Sequence, residues 1–177
     1  KPDEALARQL IEGDKAIDEK ERQIEHACLE LLLRQQPVAR DLRRVSTALK
    51  LVTDVERIGD HAADIAEISE MLAPDWMNRI PVREDLTRMS AEAVAMVQDA
   101  VASFVSVDTE KAGDVIRRDD VVDGLFDRIK RELAAYIGRN PDEVDAALDL
   151  LMIIKYLERL GDHAVNVVRQ TRHYDDP

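Results

Sequence analysis

Hydrophobic residues recur every three to four positions along almost the whole chain, and no segment shows the regular alternation of a β-strand. This period predicts five long helices, at residues 3–34, 37–72, 83–106, 109–137 and 141–173. The prolines fall at or beyond the ends of these helices, including two within residues 73–81. Because the helices are long and their connections short, neighbouring helices should pack antiparallel. The chain is therefore predicted to be an all-α helical bundle.

Three residues are predicted to mark helix ends. Pro37 suits the first turn of the second helix, where its missing N–H leaves no hydrogen bond unmade. Asp108 is a candidate N-cap for the fourth helix. Gly138, followed closely by a proline, is predicted to end that helix as a C-cap.

A seven-residue motif occurs twice. Glu-Arg-Ile-Gly-Asp-His-Ala at residues 56–62 recurs as Glu-Arg-Leu-Gly-Asp-His-Ala at residues 158–164, with six of the seven residues identical. An Asp-x-x-x-Asp pair upstream recurs as well. This agreement indicates an internal duplication of one helical unit. The predicted units are residues 1–73 and 83–177, joined by a connector at residues 74–82.

The second unit contains a helix, at residues 83–106, that has no counterpart in the first. The duplication therefore predicts a further helix of about 20–30 residues upstream of residue 1. The intact protein would then consist of two three-helix bundles. If the first unit truly lacked this helix, a non-covalent partner would have to cover its apolar surface.

The repeated motif places a carboxylate on the apolar face of its helix. At 100° per residue, Glu56 falls between Val52 and Ala63, and Asp60 lies at the edge of the same arc. A carboxylate facing an apolar interior is costly unless it is neutralised, paired or bound to a cation. If each Asp-x-x-x-Asp helix packs against its motif helix, carboxylates from both helices meet. The candidate metal ligands are Asp14, Asp18, Glu56 and Asp60 in the first copy and Asp119, Asp123, Glu158 and Asp162 in the second. Such an all-oxygen site suits hard cations such as Mg²⁺, Mn²⁺ or iron.

The arginines of the motif leave a second interpretation open. Arg57 and Arg159 lie near these acids and could satisfy them as ion pairs without a metal. From the spacing alone, metal binding and structural ion pairing have about equal weight. The duplication favours metal only modestly, because ion-pair frameworks duplicate too.

The glycines and histidines of the motif have structural interpretations. Gly59 and Gly161 lie in mid-helix, where each costs ~1 kcal/mol relative to Ala, so they indicate close approach of another helix. His61 and His163 point away from the motif glutamates. They are expected at the surface or between the two units rather than as metal ligands.

Composition and charge exclude several function classes. The 177 residues are 45% hydrophobic but only 3% aromatic, so the core should be aliphatic. The net charge of −12 argues against nucleic acid and against a polybasic membrane surface. It fits cation binding or docking onto a basic protein, although solubility alone is the more common reason for such a charge. A single cysteine, Cys28, excludes an intrachain disulfide and fits the cytoplasm.

The sequence lacks the patterns of common active sites. It shows no nucleophile–base arrangement and no glycine-rich phosphate loop. The inward Glu-x-x-His pairs of ferritin-like di-iron proteins are missing too, which argues against an oxidase or oxygen-activating enzyme. Trp76, in the proline-rich connector, is expected to anchor a turn.

Three segments resemble the PhoU family. They are residues 54–61 and 156–163, which carry the two Glu-Arg-x-Gly-Asp-His motifs, and residues 35–43, which look like that family's entry into a helix. The resemblance implies two three-helix bundles, often dimeric. It also implies a cytoplasmic accessory protein rather than an enzyme. Such proteins repress the phosphate-starvation response when phosphate is plentiful, by linking the ATPase of the Pst phosphate transporter to a phosphate-sensing histidine kinase. Contact with the membrane would be indirect, through these partners.

The resemblance also bears on the metal sites. Some family members bind multinuclear metal clusters on Glu/Asp-x-x-x-Asp motifs, and the matching positions here are the eight carboxylates named above. Iron, manganese, magnesium or zinc would be the ion. The two copies differ at three positions: Asp54 is replaced by Tyr156, Asp64 by Asn166, and Glu21 by Phe126. The second site is therefore expected to be less acidic and to bind metal more weakly or not at all. The alternative is a metal-independent helical adaptor whose acidic faces serve ion pairing and protein docking.

Overall fold

A computed structural model describes residues 4–106 and 108–174, and within them every regular element is helical. The long helices are α1 (Glu4–Gln35), α2 (Arg40–Met71), α4 (Arg83–Ser106), α5 (Thr109–Arg139) and α6 (Val144–Tyr174). Two short elements join them: helix α3 (Pro74–Arg79) in the connector and a 3-10 turn at Pro141–Glu143. The predicted all-α fold is confirmed.

Helix boundaries differ from the predicted ones by more than one residue at three places. α2 begins at Arg40, later than predicted, because Gln36 and Ala39 take positive φ angles of 44° and 48° that a right-handed helix does not contain. α5 continues through Gly138, so the predicted glycine C-cap is wrong: no glycine among the described residues has a positive φ angle. The fifth predicted helix starts as the 3-10 turn before α6. Residue 3, the predicted start of the first helix, lies outside the described residues.

Asp108 caps α5 as predicted. Its Oδ1 atom accepts hydrogen bonds from the backbone N–H groups of Glu110 at 3.0 Å and Lys111 at 3.1 Å. These donors have no partner inside the helix, so the cap satisfies two groups that the helix leaves free. The cap thereby fixes where α5 starts, and with it the position of the Asp-x-x-x-Asp pair that follows.

Helices α4, α5 and α6 pack against one another around an aliphatic and methionine-rich core. Met89, Met96, Val122, Ile129 and Ile154 are completely or almost completely buried there. α2 packs along a further face of α6 and runs antiparallel to it, since its residue 54 lies beside residues 163 and 166 and its residue 61 lies beside residue 156. α6 is therefore the helix to which both units are attached.

Helix α1 packs only against α2 among the described helices. Some of its apolar side chains are consequently open to solvent: Leu6 is 52% exposed and Ile24 41% exposed, whereas Cys28 is buried. One helix–helix interface therefore positions every carboxylate that α1 contributes. The helix predicted upstream of residue 1 lies outside this sequence and stays a prediction.

Trp76 anchors the connector to the second unit. The side chain is only 4% exposed, its indole N–H donates to Oε2 of Glu143 at 2.8 Å, and its ring meets that of Tyr136 edge-on. Glu143 also pairs with Arg79 at 2.8 Å and accepts from the Tyr136 hydroxyl. The turn-anchoring role predicted for Trp76 is confirmed.

Candidate functional site

The first repeat brings carboxylates of α1 and α2 together. Asp14, Asp18 and Asp60 each offer one ligand oxygen, and these atoms all lie within 4.8 Å of one another. Within residues 4–106 and 108–174, no other three potential metal-binding side chains lie this close together. These three residues lie at the contact between the two helices, as predicted from the sequence.

Glu56 lies beside this cluster. Burial, and after it the negative charges of Asp60 and Glu21, raise the pKa of Glu56 from an ordinary 4.5 to about 7. Its carboxyl also shares a hydrogen bond with that of Asp60, which again favours the protonated form. Glu56 therefore lies next to the three clustered aspartates but is not one of the side chains whose oxygens lie within 4.8 Å of one another.

Asp14 contributes an unsatisfied carboxylate oxygen to the cluster. Burial, followed by the charges of Asp60 and Asp18, raises the pKa of its carboxyl. Its Oδ1 atom is buried without a hydrogen-bond partner among the described residues. A buried carboxylate oxygen with no donor is costly, and every charge named around it is negative. A cation would relieve both penalties, so the residues present fit a metal ion.

Gly59 makes room for the Asp14 carboxylate. A Cβ atom at Gly59 would lie 2.9 Å from Asp14 Oδ1 and 2.9 Å from Ile17 Cδ1, closer than real Cβ contacts allow. The prediction that this glycine permits close helix approach is confirmed. Gly161 has the same role in the second repeat, where a Cβ would lie 3.3 Å from both Asp119 Oδ1 and Met96 Cε.

The second repeat also collects its predicted carboxylates, but more loosely. Burial, then the charges of Asp123 and Asp162, raise the pKa of Asp119 to about 6. The pKa of Asp123 is raised by burial and by the charges of Glu158 and Asp162. Asp123 and Asp162 are exposed, so water screens them more than it screens Asp14.

A lysine already neutralises part of the second group. Lys155 pairs with Glu158, a side chain only 17% exposed. In the first repeat the equivalent position is the uncharged Thr53, whose hydroxyl donates to the backbone carbonyl of Leu49 at 3.1 Å. The sequence motif does not include Lys155, so its role was not predicted. Alignment of the two copies beyond the seven-residue motif does reveal the replacement of Thr53 by lysine.

The replacement of Glu21 by Phe126 accompanies the replacement of Thr53 by Lys155. The ammonium group of Lys155 lies 5.2 Å from the centre of the Phe126 ring, and that of Lys130 lies 5.0 Å from it. An acid in the first repeat is thus exchanged for an aromatic face that attracts cations. The first repeat thus holds three carboxylates close together, whereas in the second a lysine pairs with Glu158.

The motif arginines do not pair with these acids. Among the described residues, neither Arg57 nor Arg159 has a carboxylate oxygen within 4.0 Å of its guanidinium nitrogens. The ion-pair interpretation of the motif arginines therefore finds no contact to support it. Of the four acids proposed for the first repeat, Asp18 alone lies within 4.0 Å of a cationic side chain in the described part of the chain, namely the exposed Arg22 at 3.9 Å.

The motif histidines lie between the two repeats, as predicted. The rings of His61 and His163 are 5.5 Å apart, and the ring of Tyr156 lies 5.2 Å from that of His61. Burial, then the proximity of His163 and Arg159, lowers the pKa of His61. These side chains hold α2 against α6 and are not part of either carboxylate group.

Comparison with known proteins identifies the fold and the motifs. The model of the PhoU domain matches residues 1–69 and 86–171 of the chain. This chain belongs to the PhoU family. The relatives named phosphate-specific transport system accessory protein PhoU homolog include that of Clostridium acetobutylicum, 37% identical over 172 residues, which cover 97% of this chain and 78% of the relative. The homologue from Deinococcus radiodurans is 37% identical over 161 residues, 91% of this chain and 75% of the relative.

Solved PhoU structures share the fold. The crystal structure of PhoU from Pseudomonas aeruginosa matches with a TM-score of 0.87 and 31% identity, over 98% of this chain and 82% of that one. The PhoU regulatory protein of the phosphate transport system from Streptococcus pneumoniae matches with a TM-score of 0.82 and 28% identity, over 98% and 81%. The family resemblance inferred from the twin motifs is confirmed.

The hydropathy of the described helices differs from that of membrane-spanning segments. Within the described ranges, none of the helices combines the length and apolar character that crossing a bilayer requires.

Proposed function

We propose that this chain is a non-enzymatic, cytoplasmic accessory protein of a phosphate-specific transport system. It represses the phosphate-starvation response when phosphate is plentiful, by coupling the ATPase of the transporter to a phosphate-sensing histidine kinase, and it acts as a homodimer. The names of its relatives support the link to the transporter. The net charge of −12 supports docking onto basic protein surfaces.

The second part of the proposal is metal binding in the first repeat. The observation that carries it is the buried, unpartnered Oδ1 of Asp14 beside the carboxylates of Asp18 and Asp60. Asp14 and Asp18 from α1 would hold the ion together with Asp60 and Glu56 from α2. Oxygen ligands alone favour a hard cation such as magnesium, manganese or iron over zinc.

Metal would supply the positive charge that lets these carboxylates stay ionised inside the protein. Because Asp14 and Asp18 come from α1 and the other two ligands from α2, occupancy would join the two helices. α1 has no other described helix against it. Bound metal would therefore stabilise the surface that α1 and α2 present to partner proteins.

Metal analysis combined with a signalling assay tests this. We would replace Glu56 and Glu158 with alanine and express the chain in a bacterium that lacks its own family member. Loss of both bound metal and repression supports the proposal. Loss of repression with metal retained, or with no metal in the wild type, would instead support a metal-independent adaptor, an alternative that the Lys155–Glu158 pair favours for the second repeat. Glu67→Ala, an exposed substitution on α2, is the matched control.

The partner assignment has its own test. Purified chain immobilised on a resin should capture the transporter ATPase and the histidine kinase from phosphate-replete cells. Capture of neither protein under conditions where the chain is folded would overturn the coupling role and leave the metal question untouched.

A further inference from the structure

A cavity of about 570 Å³ lies where α2 meets α6. Both copies of the seven-residue motif contribute the same three residue types to its lining, namely arginine, aspartate and histidine. The cavity therefore lies between the two copies of the motif. The carboxylate groups account for the motif glutamates and aspartates, but they leave the motif arginines without a role.

Three guanidinium groups face this cavity. Arg57 and Arg159 occupy equivalent positions in the two motifs, and Arg169 follows on α6. Within the described part of the chain, none of the three has a carboxylate within 4.0 Å. Some arginines elsewhere pair with carboxylates, for example Arg128 with Asp85 at 2.5 Å and Arg79 with Glu143 at 2.8 Å. Donors left free at a shared cavity indicate an external acceptor.

The rest of the lining restricts the class of ligand. The side chains of His61, His163 and Asn166 add polar groups, and Val165 is the only aliphatic residue among those that line the cavity. An acyl chain needs an apolar wall, which this lining does not provide. A small and fully polar anion fits better, and planar guanidinium groups bind phosphate oxygens in pairs.

The aspartates that line the cavity oppose the binding of an anion unless their charge is neutralised. Asp60, Asp119 and Asp162 also line it, so three formal negative charges balance the three arginines. Neutralising those carboxylates leaves an excess of positive charge. This part rests on the proposed function, because a cation held by the carboxylate groups would have that effect.

We propose that the cavity between α2 and α6 binds a phosphate oxyanion through Arg57, Arg159 and Arg169, and that neutralisation of the neighbouring aspartates strengthens this binding. The ligand is either inorganic phosphate or a diphosphate, which present the same oxygens to the same guanidinium groups. By linkage, occupancy of the cavity and of the carboxylate groups would raise each other's affinity.

Isothermal titration calorimetry of the chain with a chelator present tests the proposal without metal. Inorganic phosphate and pyrophosphate are titrated separately into the wild type, Arg57→Gln/Arg159→Gln and the control Arg8→Gln/Arg88→Gln, which removes the same charge at exposed positions outside the cavity. We expect the cavity variant to lose about tenfold or more in affinity, from the loss of charge-assisted hydrogen bonds, and the control to change less than about twofold. The anion that binds more tightly shows whether the ligand is inorganic phosphate or a diphosphate.

Asp162→Asn provides an independent arm. It removes a negative charge from the cavity without adding a metal, so phosphate affinity should rise about threefold or more. Equal affinity in the cavity variant and the control, no binding of either anion, or no gain in Asp162→Asn would overturn the proposal. Because these measurements contain no metal, their failure would leave the metal proposal standing, and failure of metal binding would leave the arginine result standing.

Discussion

The Nδ1 atom of His163 lies 2.9 Å from the Oδ1 atom of Asp54, a contact that joins the second repeat to the first. Asn166 donates to the same oxygen at 3.2 Å. Asp54 is only 8% exposed, and the histidine that donates to it carries its proton on Nδ1. The equivalent residue in the second repeat is Tyr156, so the two halves of this interface are chemically different.

Asp54→Ala should weaken the attachment of α2 to α6. Both donors would lose their acceptor inside the protein, which costs about 1–3 kcal/mol. Urea denaturation should show the free energy of unfolding lowered by that amount, and hydrogen exchange should quicken along α2. The exposed Glu67→Ala on the same helix is the control. An unchanged urea midpoint for Asp54→Ala would show that the contact adds nothing to stability.

Alanine at Gly59 should reduce metal binding in the first repeat. The added Cβ would meet Asp14 Oδ1 and Ile17 Cδ1 at 2.9 Å, so the carboxylate would have to turn away. Gly124 is the control, since a Cβ there meets nothing within 4 Å. Gly124→Ala should raise the free energy of unfolding by ~1 kcal/mol through helix propensity, and Gly59→Ala should raise it less or lower it.

Calorimetric titration of manganese into both variants gives the second readout. We expect Gly124→Ala to bind metal like the wild type and Gly59→Ala to bind it more weakly. Gly161→Ala should have a smaller effect, because its nearest contacts at 3.3 Å require shifts of only tenths of an ångström. Wild-type affinity in Gly59→Ala would contradict the role given to Asp14.

The metal-free protein should lose stability as the pH rises through mildly acidic values. The folded pKa of Glu56, about 7, lies above its ordinary 4.5, so between these values the folded chain keeps a proton that the unfolded chain has released. The free energy of unfolding therefore falls across this window and levels off above it. Asp119 adds the same trend between 3.8 and about 6.

Urea denaturation with a chelator, from about pH 5 to about pH 8, measures this dependence. Glu56→Gln should flatten the upper part of the curve, because glutamine does not titrate, and it should be more stable than the wild type at the alkaline end. A wild-type stability that rises across the window would contradict the assignment.

Lys155→Thr should strengthen metal binding in the second repeat. The substitution introduces the residue of the first repeat and removes the ammonium group that pairs with Glu158. Removing a cation next to a carboxylate should raise affinity for a divalent ion by about tenfold, after allowance for solvent screening. Lys130→Thr is the control, since that lysine contacts Phe126 but pairs with Asp127 instead. Calorimetry should show a stronger second manganese site in the first variant alone.

The sequence predicts the long helices well because their apolar period is sustained over many turns. It fails at helix ends, where single residues decide the geometry. Gly138 shows this: a glycine before a proline suggests a C-cap, but α5 continues through it and ends at Arg139. The short helix α3 escapes periodicity altogether, because six residues hold fewer than two turns.

The carboxylate clusters could be predicted because both repeats place acids at the same helical positions. Their unequal character could not be predicted from the motif alone. Lys155 lies outside the motif, and its pairing with Glu158 depends on how α6 turns its side chains toward Phe126. The free state of Arg57 is likewise a property of packing, since nearby acids in the sequence suggested an ion pair instead.

The burial of Trp76 gives the protein a selective optical probe. It is the only tryptophan, and the α1–α2 hairpin contains no phenylalanine, tyrosine or tryptophan at all. Indole emission consequently reports on the packing beside Tyr136 and Glu143, while far-ultraviolet circular dichroism sees every helix. A thermal transition visible by dichroism but silent in emission would belong to the hairpin, so two ordinary spectrometers can follow the separate melting of its halves.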